Sequence, residues 1–268
     1  MNQAVRTKTD LIEIFGKLGV SSGTHVMVHS SMKSLGYVVN GALDVIDSLI
    51  ELVGKKGTIL MPSHSGQLTD PMNWKVGNFS ESEKDIIRQS MQPFDPKLTQ
   101  IRNRGEIPRV FLTYPKVHRS FHPISSVAAK GKLARYLTSI HDLNESEGEN
   151  SPVGRLYDLD GHILLIGVDL SSCSAIHLAE YKADVHYLAN SKMRVLVKNT
   201  IGKPEFVDLM RYPGDSSRFI RVRSELGEDI FRTIKLNTCT ITFFKIRPVI
   251  DYVFSKLLQN PNYLRNDS

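Results

Sequence analysis

His177 and Glu180, in the run His177-Leu178-Ala179-Glu180-Tyr181, stand three positions apart. On a helix that spacing puts an imidazole and a carboxylate on one face. A carboxylate beside a histidine fixes its tautomer, orients the ring and raises its basicity, which makes a general base. The helix that would hold the pair is read from Ala175 to Ala183, with Ser174 as its N-cap. Upstream, Ile163-Leu164-Leu165-Ile166, closed by Gly167, reads as a buried strand, and Ser171-Ser172-Cys173-Ser174 as a small-residue loop. Open α/β sheets place their sites at the mouth of such a strand-loop-helix unit. A lone HxxE is more often a surface pair, so the assignment needs support from elsewhere in the chain.

Two further stretches have site-like composition. In His29-Ser30-Ser31-Met32-Lys33-Ser34-Leu35-Gly36, consecutive small residues follow a strand. Backbone N–H groups there are free for an anion or a carbonyl, and Lys33 adds charge. The spacing matches neither GxGxxG nor GxxxxGK[ST], so no nucleotide motif is present. In Arg119-Ser120-Phe121-His122-Pro123-Ile124-Ser125-Ser126, the proline forces extended geometry on His122 between hydroxyl clusters. Each of these, taken alone, is also an ordinary loop. Cys173 stands four before His177 and could be an activated thiol, but a small buried residue is the simpler reading. No HxxxH or HExxH occurs, and Pro123 argues against a helix through His118 and His122, so no metal site is expected.

The 268 residues, 41% hydrophobic with two cysteines, suit a globular domain without a disulfide framework, and a cytoplasmic location is expected. No apolar run reaches the roughly 18 residues of a membrane span, and Met1-Asn2-Gln3 begins no signal peptide. The formal charge of +6 points to a polyanion or a phosphorylated cofactor. The basic clusters, Arg102-Asn103-Arg104 and Arg218 to Arg223, are short and lack the interleaved aromatics of a stacking platform, so nucleic acid is the weaker reading.

Helical stripes run over Lys8 to Leu18, started by Thr9 or Asp10, and over Gly41 to Val53. His25 to His29 and Thr58 to Met61 read as strands, so strand, helix and strand form a βαβ unit with a parallel sheet. Pro62 to Arg104 has little periodicity and is long enough to be functional. Further helices are expected near Ile107 to Leu112, Lys130 to Ser139, Asp215 to Leu226 and Pro248 to Leu258. A hairpin is expected at Met193 to Lys198 and Glu205 to Met210, and a strand at Thr238 to Phe244. Asp142 to Glu149 reads most simply as a solvated acidic turn.

Together the three loops resemble the aminoglycoside N3-acetyltransferase family. The matching stretches are Val28 to Ile46, Gly57 to Ser65, Phe94 to Thr99, Arg119 to Gly131, Ser151 to Val168 and His177 to Tyr181. They run in family order over about two-thirds of the chain, and RSxHPxxS and HLAEY carry most of the specificity. The resemblance implies a single α/β domain over residues 1–268, with a central mixed, largely parallel sheet flanked by helices. It implies direct transfer of an acetyl group from acetyl-CoA to an amine, with His177 as base and Glu180 orienting it. Ser30, Ser31, Met32, Lys33 and Gly36 then look like the pantetheine and phosphate cradle, and Ser120, Phe121 and Ser126 lie in the loop that completes it.

The chain departs from the family pattern at Asn40, Met32, Arg109, Leu112 and Cys173, closer to the acceptor end than to the cofactor end. An aminoglycoside is a polycation and wants carboxylates around it. Asp70 and Asp95 are the first candidates, with the Asp142 to Glu149 loop beside them. Other expectations stay open at this point: another amine as acceptor, a chain that binds CoA without turnover, a nucleic-acid-binding protein without catalysis, and a homodimer.

Overall fold

The apolar runs read as strands become the centre of one sheet, because each is buried on both faces and can satisfy its backbone only by pairing. The computed structural model describes residues 4–74, 77–237 and 239–265. The absence of a signal peptide at Met1-Asn2-Gln3 and a strand start at Thr238 are expectations that lie outside the described residues.

In chain order, β1 (Val5–Arg6) and α1 (Lys8–Leu18) lead into β2 (His25–Ser30), β3 (Tyr37–Val38), α2 (Ala42–Val53) and β4 (Thr58–Pro62). The helices α3 (Glu81–Ser90) and α4 (Glu106–Phe111) precede β5 (His118–Arg119) and β6 (Val127–Gly131). Then come α5 (Ala134–Thr138), α6 (Pro152–Asp158), β7 (His162–Ile166), α7 (His177–Lys182) and α8 (His186–Ala189). A hairpin of β8 (Lys192–Lys198) and β9 (Pro204–Met210) is followed by α9 (Arg221–Leu226), β10 (Arg232–Lys235), β11 (Thr240–Lys245) and α10 (Ile246–Gln259).

The main sheet has seven strands in the order β10-β11-β7-β2-β4-β6-β5. The β7–β2 and β2–β4 ladders are parallel, and the four outer ladders are antiparallel. Two reversals on each side bring β10 and β5 back into the central direction, so the sheet is mixed, as expected. Side chains alternate between its faces. Met27, Leu60, Ile163 and Leu165 enter one core with residues of α7 and α10, while Val26, Val28, Ile59, Met61, Leu164 and Ile166 enter another with α1 and α2. The parallel arrangement brings the C-terminal ends of β2, β4 and β7 to one edge, where Ser30 pairs with Ile166 and Ser31 N–H donates to Ile166 O at 2.8 Å.

Several local expectations change. Thr7, rather than Thr9 or Asp10, caps α1, in a capping box with Asp10. Lys130 to Ser139 is not one helix: Val127–Gly131 is a strand and only Ala134–Thr138 is helical. Two alanines give that strand little β propensity, but β4 offers it a hydrogen-bonding edge, and the tertiary demand wins. Strand β10 escapes sequence reading for the same reason. Pro62 to Arg104 contains a helix, α3, started by a capping box of Ser80 and Glu83 that a closer reading of the sequence would have shown. Ser174 is not an N-cap: Ser174–Ile176 is a 3-10 turn, and α7 starts behind Ile176 with no side-chain cap. Asp142 to Glu149 is not simply solvated, because Ser146 and Glu147 are buried.

Gly167, which ends β7, has a positive φ of 63°, and a Cβ there would meet the Ser34 Oγ and Cβ. Gly167→Ala is expected to lower unfolding stability by about 2 kcal/mol or more through backbone strain and this close approach. Gly66→Ala, with nothing within 4 Å of the added carbon, is expected to stay near wild type. Urea denaturation of both variants checks the contrast.

Candidate active site

The turn from Ser174 into α7 buries His177 and leaves Glu180 fully buried one turn on. His177 Nδ1 donates to Glu180 Oε2, and Tyr187 OH donates to Glu180 Oε1 at 2.7 Å. The Arg265 guanidinium lies 3.8 Å from that second oxygen. The imidazole packs against Phe219 in a T-shaped arrangement, with centroids 4.8 Å apart. With Nδ1 committed to the carboxylate, Nε2 is the nitrogen left for chemistry. Burial works against the imidazolium, but the Glu180 and Glu147 carboxylates outweigh it, and the His177 pKa is raised from its ordinary value.

His177 opens into a cleft with three lobes. The smallest, about 120 Å³, is lined by His177, Glu147, Ser172, Ser174, His64, Arg104 and Tyr212. Arg104 and Ser172 also line a second lobe of about 350 Å³, whose wall is His29, Ser30, Ser31, Met32 and Lys33. Arg104, His64 and Tyr212 also line the third, about 510 Å³, with Trp74, Thr69, Gln67 and Ile124. Arg104 therefore stands where the lobes meet. Enclosure by the cleft lowers its pKa, although Tyr212 and Glu147 act the other way, and a guanidinium keeps its proton regardless.

Three polar atoms at this edge of the sheet are buried without a protein partner: His29 Nε2, Ser30 Oγ and Ser174 Oγ. An unsatisfied buried group costs about 1–3 kcal/mol, so these are places where a ligand can complete the bonding. Burial holds His29 neutral, with a pKa lowered to about 3, and holds His64 well below the ordinary range. Burial raises the Glu147 pKa, opposed by His177, and lifts the Tyr212 phenol to about 12.

The sequence-derived residues fall into two groups. His177, Ser30, Ser31, Met32 and Lys33 line the connected cleft, with Glu180 directly behind His177. The rest do not line it. Gly36 turns the chain at a positive φ of 76°, where a Cβ would approach Ala4 O to 2.9 Å. Ser120 and Ser126 are fully buried and brace the wall: Ser120 Oγ accepts from Val127 N–H at 2.9 Å and meets His141 Nδ1, and Ser126 Oγ donates to Ser63 O at 2.7 Å. Phe121 is exposed and packs edge-on against Phe94. His122 is buried beneath the same loop, where its Nδ1 accepts from Ser125 N–H at 3.0 Å. The RSxHPxxS stretch thus ties the loop down from within and sends Ile124 into the cleft.

The two carboxylates expected at the acceptor end are engaged elsewhere. Asp70 is buried and receives Arg88 Nε at 3.1 Å to both oxygens and Arg88 Nη2 at 2.8 Å. Asp95 caps its own turn, accepting from Lys97 N–H at 2.7 Å and Leu98 N–H at 3.0 Å. Sequence reading reached Glu147 only through the Asp142 to Glu149 loop as an acceptor-side candidate, and it did not single out Arg104, His64 or Tyr212 as site residues. Glu147 sits in the acidic loop and Arg104 in a short basic cluster, so both left a trace. His64 lies in a stretch that matches the family, and Tyr212 left no signal at all. Cys173 is buried in the core and burial pushes its thiol up to about 12, which keeps it protonated near neutral pH. Among the described residues no group of three or more His, Cys, Asp or Glu is placed to hold a metal, and no helix is long and apolar enough to cross a membrane.

Comparison with known proteins meets this geometry. Residues 27–258 match the family model of aminoglycoside 3-N-acetyltransferases. The SPbeta prophage-derived aminoglycoside N(3')-acetyltransferase-like protein YokD of Bacillus subtilis (strain 168) is 38% identical over 205 residues, which are 76% of this chain and 75% of that protein. The crystal structure of YokD superposes with a TM-score of 0.88 at 31% identity, covering 99% of this chain and 97% of that one. The aminoglycoside N(3)-acetyltransferase III of a Salmonella species is 35% identical over 187 residues, 68% of this chain, and the match spans only 62% of that enzyme. With the family model running from β2 into α10 and so taking in the Ser30 to Lys33 loop, Arg104, Glu147 and the His177–Glu180 pair, the chain belongs to the aminoglycoside 3-N-acetyltransferase family.

Proposed function

We propose that the chain transfers the acetyl group of acetyl-CoA directly to an amine, with the 3-amino group of an aminoglycoside as the acceptor its family best supports. One observation carries this reading: a histidine whose Nδ1 is locked by a buried carboxylate lines a pocket that shares Arg104 and Ser172 with the pocket walled by Ser30 to Lys33. A thioester arm along that loop brings its carbonyl towards Nε2.

The chemistry follows. The acceptor amine must lose a proton as its nitrogen attacks the thioester carbon. Nε2 of His177 takes that proton while Nδ1–H stays on Glu180, which stabilises the imidazolium that forms. The carbonyl oxygen becomes an oxyanion, and the Arg104 charge at the lobe junction favours it. The C–S bond then breaks, and the proton held on Nε2 goes to the departing thiolate, leaving the amide and free CoA thiol. No covalent enzyme intermediate is needed, consistent with the buried neutral Cys173 thiol. Ser30 Oγ and His29 Nε2 are the unpartnered groups available to the pantetheine amides, and Lys33 to a phosphate. Glu147 lines the same pocket as His177, and of the carboxylates that charge complementarity named (Asp70, Asp95 and the Asp142 to Glu149 loop) it takes the ammonium-binding role.

Replacing Ser31 by Leu should fill the cradle and weaken CoA binding at least tenfold, read by calorimetry, while the circular dichroism spectrum is unchanged. Unaltered affinity places the arm elsewhere. His177→Ala should cut kcat at pH 7 by roughly 10²–10⁴-fold with CoA affinity retained, and higher pH should recover part of it as free amine forms. Near-native kcat with a confirmed acceptor removes His177 as the base. Because the His177 pKa is raised and the base must be unprotonated, the acid limb of the kcat/KM profile should lie above pH 6.5. Glu147→Gln removes a carboxylate that raises this pKa, so it should move the limb to lower pH and raise KM for the amine. An unmoved limb and an unchanged KM exclude Glu147 from both roles.

A further inference from the structure

We infer that Arg265, stacked on Tyr187 behind the site, is a positioning residue that sets the proton affinity of the His177–Glu180 pair. The inference rests on His177 being the base and concerns residues beyond those the family motifs mark.

The observation starts from the last described turn of the chain. After α10 the chain runs back across the core, where Tyr263 and Leu264 are buried. Arg221 Nη1 donates to Tyr263 O at 3.0 Å, Tyr263 OH donates to Glu225 Oε2 at 2.9 Å, and Arg265 N–H donates to Asn262 O at 2.8 Å. This strap fixes Arg265. Its guanidinium lies over the Tyr187 ring, 3.9 Å from the centroid, and 3.8 Å from Glu180 Oε1. Tyr187 OH donates to the same oxygen at 2.7 Å. Burial and the neighbouring Glu180 push the phenol above its ordinary range, so Tyr187 stays protonated and keeps donating to Glu180.

The physical consequence concerns a fully buried carboxylate. Burial disfavours an imidazolium at His177, but Glu180 favours it by charge and hydrogen bond, which works against a base that must be neutral. A second carboxylate, Glu147, pulls the same way. Arg265 is the cation on the far side of Glu180: it spreads the carboxylate charge over two partners and repels a proton on His177. The other titratable groups around the pair are Asp215, ahead of α9, and Arg104, His64 and Tyr212 across the cleft. It is Arg265 that approaches Glu180 to ion-pair distance, at 3.8 Å. Arg265 Nε is buried without a partner, and the rest of the guanidinium is held against the Tyr187 side chain and by the Glu180 charge.

The test follows the His177 imidazole by NMR titration and kcat/KM against pH in the full chain, for Arg265→Gln, Arg265→Met and Arg265→Lys. About a quarter of the Arg265 side chain is exposed, 26%, and Met fills the stem volume if Gln packs poorly. Both neutral variants should raise the His177 pKa by about one unit, so that kcat/KM falls about tenfold at pH 7 and returns towards wild type by pH 9. Arg265→Lys should restore most of the loss by keeping the cation. A folded neutral variant with the wild-type titration and pH profile overturns the proposal, as does a loss of activity uniform in pH. The titration stands apart from turnover: if His177→Ala keeps its activity the base assignment fails, while the shift in the His177 pKa still decides what Arg265 does.

Discussion

The parallel pairing of β2 with β7 is the contact on which the rest depends. Its register sets Ser30 against Ile166, and the ladder continues past the strand ends through Ser31 N–H to Ile166 O at 2.8 Å. The loop after β2 and the loop after β7 therefore emerge side by side. One carries Ser30, Ser31 and Lys33 and the other leads to His177. A one-residue slip would turn Met27 and Leu165 into the wrong core and separate the two loops. Gly167 makes the crossing possible, since its left-handed backbone lets the chain pass Ser34 where a side chain would collide.

Charge is the second theme. The site keeps Glu180 and Glu147 buried beside His177, with Arg104 and Arg265 on different sides of them. Removing one member of a buried charge pair leaves the other desolvated and alone, which costs far more than the pair contributes when whole. The histidines His29 and His64 are held neutral by burial, so they add no positive charge to a cleft that must accept an amine.

The RSxHPxxS stretch shows how a motif and a contact can come apart. Its serines and histidine are buried, and they bond to Ser63 O, Val127 N–H, Ser125 N–H and His141. The stretch matters for the cleft because it holds Ile124 and the Ser63 to Ser65 turn in place, through Ser65 Oγ to Pro123 O at 2.7 Å and Ser65 N–H to Ile124 O. Asp70 is similar: its residue type suggested a partner for a cationic acceptor, and its carboxylate is taken by Arg88 from α3. Residue type and spacing cannot separate a carboxylate that faces a ligand from one that fixes a helix, since both are conspicuous for the same reason.

What the sequence determined by itself is local and periodic. The apolar runs specify β2, β4 and β7, the helical stripes specify α1, α2 and α10, and the spacing of His177 and Glu180 already puts imidazole and carboxylate on one face. These follow from chemistry within a turn or a strand, where the chain carries its own geometry. The tertiary structure decided the rest. It made strands of Val127–Gly131 and Arg232–Lys235, which have a partner edge but weak propensity of their own. It carried Glu147 from an acidic turn into the cleft, brought Arg104 to the junction of three lobes, and laid Arg265 against Tyr187 and Glu180 from 85 positions away. Such contacts depend on which chain segments the sheet order and its crossovers bring together, and that information is spread over the whole fold rather than written in any one stretch.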